Sequence, residues 1–116
     1  MWIMIAGPYR SEASSQPTRE RDLSLLNQAA LEIFRKGHVP LIGANMALPV
    51  IEAAGQHSYD EIMMPVSLAL AARCDAVLRM EGASARADAE VERVRASGGT
   101  VFRRLDDIPR ADATYC

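Results

Sequence analysis

An unbroken apolar run, Trp2-Ile3-Met4-Ile5-Ala6, opens the chain and stops at Gly7-Pro8. A run without polar alternation predicts a strand buried on both faces, as parallel sheets require. Residues 11–17 are small and polar and predict a loop. From about Thr18 to Lys36, Leu23, Leu26, Ala30, Ile33 and Phe34 recur at helical spacing, and Gly37 supplies the stop. Val39 to Ile42 predicts a short strand, which Pro40 places at an edge or a strand start. Residues 43–57 mix apolar residues with Gly43, Pro49 and Gly55, and predict a connection with one short helical turn near Val50 to Ala54. Ser58-Tyr59-Asp60-Glu61 is a capping-box pattern opening a helix to about Arg73, with Pro65 kinking it or marking a later start. Asp75 to Met80 predicts a third strand. Ser84 to Ser97 predicts a helix with Ala87, Val91 and Val94 inward, ended by Gly98-Gly99. Thr100 to Phe102 completes the strands, and Asp106 to Arg110 predicts a terminal turn. Strands alternating with helices predict a parallel sheet with right-handed crossovers.

Composition narrows the class. A chain of 116 residues, 49% hydrophobic and 24% charged, is expected to be one soluble globular domain spanning residues 1–116. A net charge of −2 gives no broad field for a polyanion, so no nucleic-acid polymer is expected as partner. One anionic small molecule needs only a local site. Cys74 precedes a buried strand and Cys116 is the last residue, which argues against a disulfide framework and for a reduced, cytoplasmic setting. The apolar run at the start is too short for a signal peptide, and no stretch is long enough to span a membrane. His38 and His57 have no ligand spacing, so neither a metal nor a cofactor is expected. No dinucleotide fingerprint, phosphate-binding loop or nucleophile elbow is present. Met46, Met63, Met64 and Met80 read as core filler.

The candidate chemistry lies where strands end. On a helical wheel with Ala87 as reference, Val91 falls at about +40° and Val94 at about −20°. Glu90 falls at about −60°, at the edge of the apolar stripe, and Glu92 near +140°, in solvent. Ser84 is the expected N-cap, at a helix start that favours an anion. Two readings of Glu90 stay open: an acid facing a semi-buried cleft, or a surface salt bridge with Arg86 or Arg93. After the first strand, Gly7-Pro8-Tyr9-Arg10 is either a plain turn or a ligand-facing one. In the second case Gly7 admits a ligand to the backbone while Tyr9 and Arg10 line the site.

Four stretches occur in order: Ile5-Ala6-Gly7-Pro8-Tyr9, Gly37-His38-Val39, Cys74-Asp75-Ala76-Val77, and Ser84-x-x-Ala87-x-x-Glu90. Together they resemble the nucleoside 2-deoxyribosyltransferase-like superfamily, in particular a small bacterial and phage-associated branch. The resemblance spans nearly the whole chain. It implies a Rossmann-like (flavodoxin-like) α/β three-layer sandwich with a parallel sheet of four or five strands, assembled as a homo-oligomer. It also implies cleavage of an N-glycosidic bond through a glutamate nucleophile, here Glu90, on a nucleoside or nucleoside 5′-monophosphate. The serine six residues before that glutamate, Ser84, is the residue that holds a 5′-phosphate in relatives acting on monophosphates. Gly7, Pro8, Tyr9 and Arg10 would complete the substrate site.

Four positions depart from the pattern. Where relatives carry a second acid, this chain has Ser67, which could hydrogen-bond the sugar; Asp60 lies too far back along the helix to take that place. Arg86 replaces a frequent glycine, and Met80-Glu81 replaces a glycine and tryptophan. The alternatives are a non-catalytic nucleotide-binding module that has lost the second acid, and a scaffold whose cleft is vestigial.

Overall fold

The computed structural model describes residues 1–9 and 16–111. The elements run β1 (Trp2–Ala6), α1 (Gln16–Arg35), β2 (Val39–Leu41), α2 (Gly43–Ala54), α3 (Tyr59–Ala71), β3 (Ala76–Arg79), α4 (Ala85–Ala96) and β4 (Thr100–Phe102). Short 3-10 turns, Gln56–Ser58 and Leu105–Asp107, precede α3 and follow β4. The strands form one four-stranded, all-parallel sheet in the order β2-β1-β3-β4. This is the Rossmann-like α/β architecture that strand–helix alternation predicts.

The period-2 alternation of strands divides the core between the two faces of the sheet. Ile3, Ile5, Ala76 and Leu78 pack with Leu26, Ala29 and Ile33 of α1. Met4, Ala6 and Val77 pack on the other face with Ala71, Ala87, Val91 and Val94, from α3 and α4. With both faces covered, β1 and β3 are apolar almost throughout, which explains their unbroken runs.

Pairing β1 with β2 on one side and β3 on the other makes the β1–β3 boundary a topological switch point. In open parallel sheets, ligands bind outside the strand ends at such a point. Here it is formed by Ala6-Gly7 and Arg79-Met80, joined by the Met80 N–H donating to the Ala6 carbonyl at 2.8 Å.

Residues 43–57 correct the expected connection, because Gly43–Ala54 form a full helix. Ala44, Ala47 and Ile51 lie one helical face apart and are all fully buried. Pro49 inside this helix costs about 3 kcal/mol relative to alanine. Burial of Ile51 alone contributes roughly 1.5–3 kcal/mol, and the two alanines add to it. The capping box is also corrected. Ser58 sits at φ −93°, ψ 7° and makes no side-chain cap bond, since the preceding 3-10 turn denies it the extended conformation an N-cap needs. The helix nevertheless starts at Tyr59 and runs through Pro65, which is exposed.

Within α1 the buried stripe is Leu26, Ala29 and Ile33, while Phe34 is 63% exposed because it lies one residue round the helix from Ile33. Met46, expected in the core, is 57% exposed on α2.

At the opposite end of the strands, the last described residues fold back on the end of α1. The Ala111 N–H donates to Lys36 O at 2.8 Å, and Lys36 Nζ to Ile108 O at 2.9 Å. Buried His38 bridges the α-amino group of Met1 (2.9 Å) and the carbonyl of Pro109 (2.7 Å). Among the described residues, no helix is long and apolar enough to cross a membrane.

Candidate active site

The chain leaves β3 through residues 80–84 and enters α4 at Ser84. Ser84 is extended (φ −163°, ψ 110°), and its Oγ accepts the Ala87 N–H at 3.1 Å, satisfying one orphan donor of the first turn. Ser84 is thus the N-cap that the sequence predicts. Ala87, Val91 and Val94 then turn to the sheet, and Glu90 turns to the flank where α4 meets α3.

Glu90 is fully buried. Its Oε2 receives a hydrogen bond from Arg86 Nη1 at 3.1 Å, while Oε1 has no hydrogen-bond partner. The i,i+4 pair that spacing allows therefore forms, but inside the protein rather than on its surface. Burial pushes the Glu90 carboxyl above its ordinary value of 4.5; Arg86, Ser67 and Arg79 pull it back only in part.

Ser67, also fully buried, reaches the same spot from α3. Its hydroxyl lies 3.8 Å from Met63 Sδ, and as a side-chain hydrogen-bond donor to Glu90 it lowers the carboxyl pKa. A Cβ placed on Gly43 would stand 2.4 Å from Ser67 Oγ and 3.0 Å from Glu90 Oε2. The start of α2, which has no side-chain cap, therefore lies against the carboxylate, where a helix N-terminus favours negative charge.

Arg86, the partner of Glu90, lines a cleft of about 180 Å³ together with Tyr9, Tyr59, Asp60, Met63 and Met64; Glu90 itself does not reach its surface. Arg86 forms its boundary with the carboxylate. Besides binding Glu90, it donates from Nη2 to the Gly7 carbonyl at 3.2 Å. The turn after β1 is held from the other side too, because a Cβ on Gly82 would meet Pro8 Cγ at 2.5 Å. A second hollow, about 380 Å³ and lined in part by Arg79, Asp88, Arg103 and Arg104, includes neither Glu90 nor Tyr9. Its buried guanidinium, Arg79, is already committed to Asp88 Oδ1 (3.0 Å), Gly82 O (2.9 Å) and Met80 O.

Of the residues singled out from sequence, Gly7, Tyr9, Ser67 and Glu90 converge at the β1–β3 switch point. Pro8 buttresses the turn and Ser84 caps the helix. Arg10 lies outside the described residues. Sequence reasoning missed the roles of Gly43, Tyr59 and Asp60. Gly43 is the first residue of α2, with only Ile42 between it and the end of β2 at Leu41, and a glycine where a strand gives way to a helix is the signal that marks it. Tyr59 and Asp60 belong to the first turn of α3, which the short return from Ala71 to β3 places at the strand ends.

Chemically, the arrangement offers a desolvated carboxylate, a hydroxyl beside it, a planar cation over it and two phenol rings at a cleft. Among the described residues, no group of His, Cys, Asp or Glu could hold a metal ion. Compared with protein-family models, curated proteins and solved structures, the chain finds no match.

Proposed function

We propose that this chain cleaves the N-glycosidic bond of a nucleoside or nucleoside 5′-monophosphate, with Glu90 as nucleophile. One observation carries the reading: Glu90 is a fully buried carboxylate with an unpartnered oxygen, paired with the arginine that lines a tyrosine-walled cleft at the switch point of a parallel sheet. Burying an acid so completely is costly for stability, and acids held that way concentrate at functional sites.

A Glu90 oxygen bonds to the anomeric carbon as the carbon–nitrogen bond breaks. The electron pair leaves on the base nitrogen, which takes a proton from water. Water then attacks the same carbon and loses a proton to solvent, and the Glu90 oxygen departs with its bonding pair. A second base in place of that water gives transfer instead of hydrolysis. Tyr9 and Tyr59 provide aromatic surface for the base. Ser67 and Asp60 are acceptors for sugar hydroxyls, one beside the nucleophile and one at the cleft wall.

The test is chromatographic detection of free base from nucleosides and their 5′-monophosphates, with and without an acceptor base, using Glu90→Gln as control. Release that depends on Glu90 supports the reading. Equal release by the variant, or none by either protein, rejects it.

One observation favours a second reading. Arg86, bonded to Glu90, lines the cleft where Glu90 does not, and Ser67 takes the place of the second acid in the superfamily pattern that the sequence resembles. A binding module would raise its thermal midpoint with nucleotide and release no base.

A further inference from the structure

Arg86 separates the cleft from the carboxylate. Its side chain is 13% exposed, and its two assigned bonds, to Glu90 Oε2 and Gly7 O, are 3.1 and 3.2 Å long. A guanidinium carries five N–H donors in a planar fork that matches phosphate as well as carboxylate. Among the described residues it is the one basic side chain lining this cleft. Ser84 Oγ already accepts the Ala87 N–H, and Ser84 does not line the cleft. The cleft, at about 180 Å³, is also smaller than typical small-molecule pockets, and Arg86 forms part of its wall.

We propose that Arg86 is a specificity-determining latch: an anionic group entering the Tyr9–Tyr59 cleft, such as the phosphate of a nucleoside 5′-monophosphate, draws the guanidinium off Glu90 and Gly7 and uncovers the carboxylate. The inference rests on the cleft being the ligand site of the function proposed above. A phosphate carries about −1.5 to −2 charges against −1 for a carboxylate, so it competes effectively for the fork. Once Arg86 has moved, Glu90 lacks its nearest cation, and the positive charge developing on the sugar takes that place. An uncharged nucleoside leaves the latch shut. Selection for the anionic substrate thus comes from the same side chain that shields the nucleophile.

The groups bearing on Glu90 are Arg86 on its own helix, Ser67 from α3 and, further off, Arg79 from β3. The Cys74 thiol, at the junction of α3 and β3, feels Glu90 in turn. Arg79 is tied to Asp88 and two carbonyls, which leaves Arg86 as the cation free to change its distance.

The test follows the Glu90 carboxyl carbon by NMR in protein carrying δ-¹³C glutamate, with Glu90→Gln assigning the signal. Its titration is recorded alone, with inorganic phosphate, with adenosine 5′-monophosphate, and with potassium chloride at matched ionic strength. Loss of a cation this close moves a carboxyl midpoint upward by about one pH unit or more. That rise is expected with phosphate and the monophosphate and not with chloride. In Arg86→Gln the midpoint should be high from the outset and indifferent to phosphate. Should that variant fail to fold, the wild-type arms decide alone. A midpoint unmoved by phosphate, moved equally by chloride, or still phosphate-sensitive in Arg86→Gln overturns the latch. A phosphate-driven rise without base release from any substrate leaves the latch standing and removes the glycosidase reading. Glu90-dependent release with no phosphate-driven rise does the reverse.

Discussion

Gly43 and Ser67 touch so closely that a single methyl group at position 43 would stand 2.4 Å from the serine hydroxyl oxygen and 3.0 Å from its Cβ. The contact brings the start of α2 against the middle of α3 and leaves Glu90 no room to turn away. Gly43→Ala is therefore expected to destabilise the protein by about 1–3 kcal/mol, the usual cost of overpacking. Adding Ser67→Gly should restore part of that loss. Urea midpoints of the two single variants and the double variant measure the coupling; additive effects would mean that the two residues do not meet.

The buried carboxyl of Glu90 makes stability and the proposed cleavage respond to pH in opposite directions. Its folded-state pKa lies above the ordinary 4.5, so the folded chain holds the proton more tightly than the unfolded chain. That contribution is fully present below 4.5 and is lost as pH rises through the folded value. Thermal midpoints of wild type should thus fall relative to Glu90→Gln as pH rises from acid to neutral. Glycosidic cleavage, which needs the ionised form, should increase over the same range. Parallel stability curves for the two proteins would contradict the first expectation.

Cys74 should be inert in the native protein. Burial, Asp75 and Glu90 push its thiol up to about 11, so almost none is thiolate at neutral pH. Iodoacetamide followed by peptide mapping should leave Cys74 unmodified in buffer and alkylate it fully in urea. Rapid native labelling would show that the end of α3 opens readily.

Arg79 and Asp88 form an uneven pair. The guanidinium is 8% exposed and the carboxylate 70% exposed. Removing the exposed partner, Asp88→Ala, should cost under about 1 kcal/mol, since the arginine keeps the Met80 and Gly82 carbonyls. Arg79→Ala leaves those carbonyls without their donor and should cost about 2–3 kcal/mol. Chemical denaturation of both variants gives the comparison, and equal losses would contradict it.

How much of this was legible in the chain depended on where each signal came from. β1 and β3 were, because both their faces are covered and the apolar run is the whole signature. α4 was, because Ser84, the Ala87-Val91-Val94 stripe and Gly98-Gly99 agree on start, face and end. α2 was not. Gly43 and Pro49 are breakers in isolation, and only tertiary burial of Ala44, Ala47 and Ile51 holds the helix together. The wheel brought Glu90 to the edge of the stripe and no further, since it describes one helix and α3 supplies the wall that buries the acid. The same limitation made Arg86 look like a surface partner. Tyr59 and Asp60 join the cleft through the path of the chain, which no local pattern encodes.

The packing of Pro8 against Gly82 has a mechanical consequence. Two connections far apart in sequence, one carrying Tyr9 and the other leading into Arg86, rest on each other with no space for a side chain between them. Neither can swing outward without dragging or shedding its neighbour. A displacement at Pro8 is thus passed to Gly82, and along the chain toward Ser84 and Arg86. A substitution at position 82 would therefore be felt at Pro8 and at the turn that carries Tyr9.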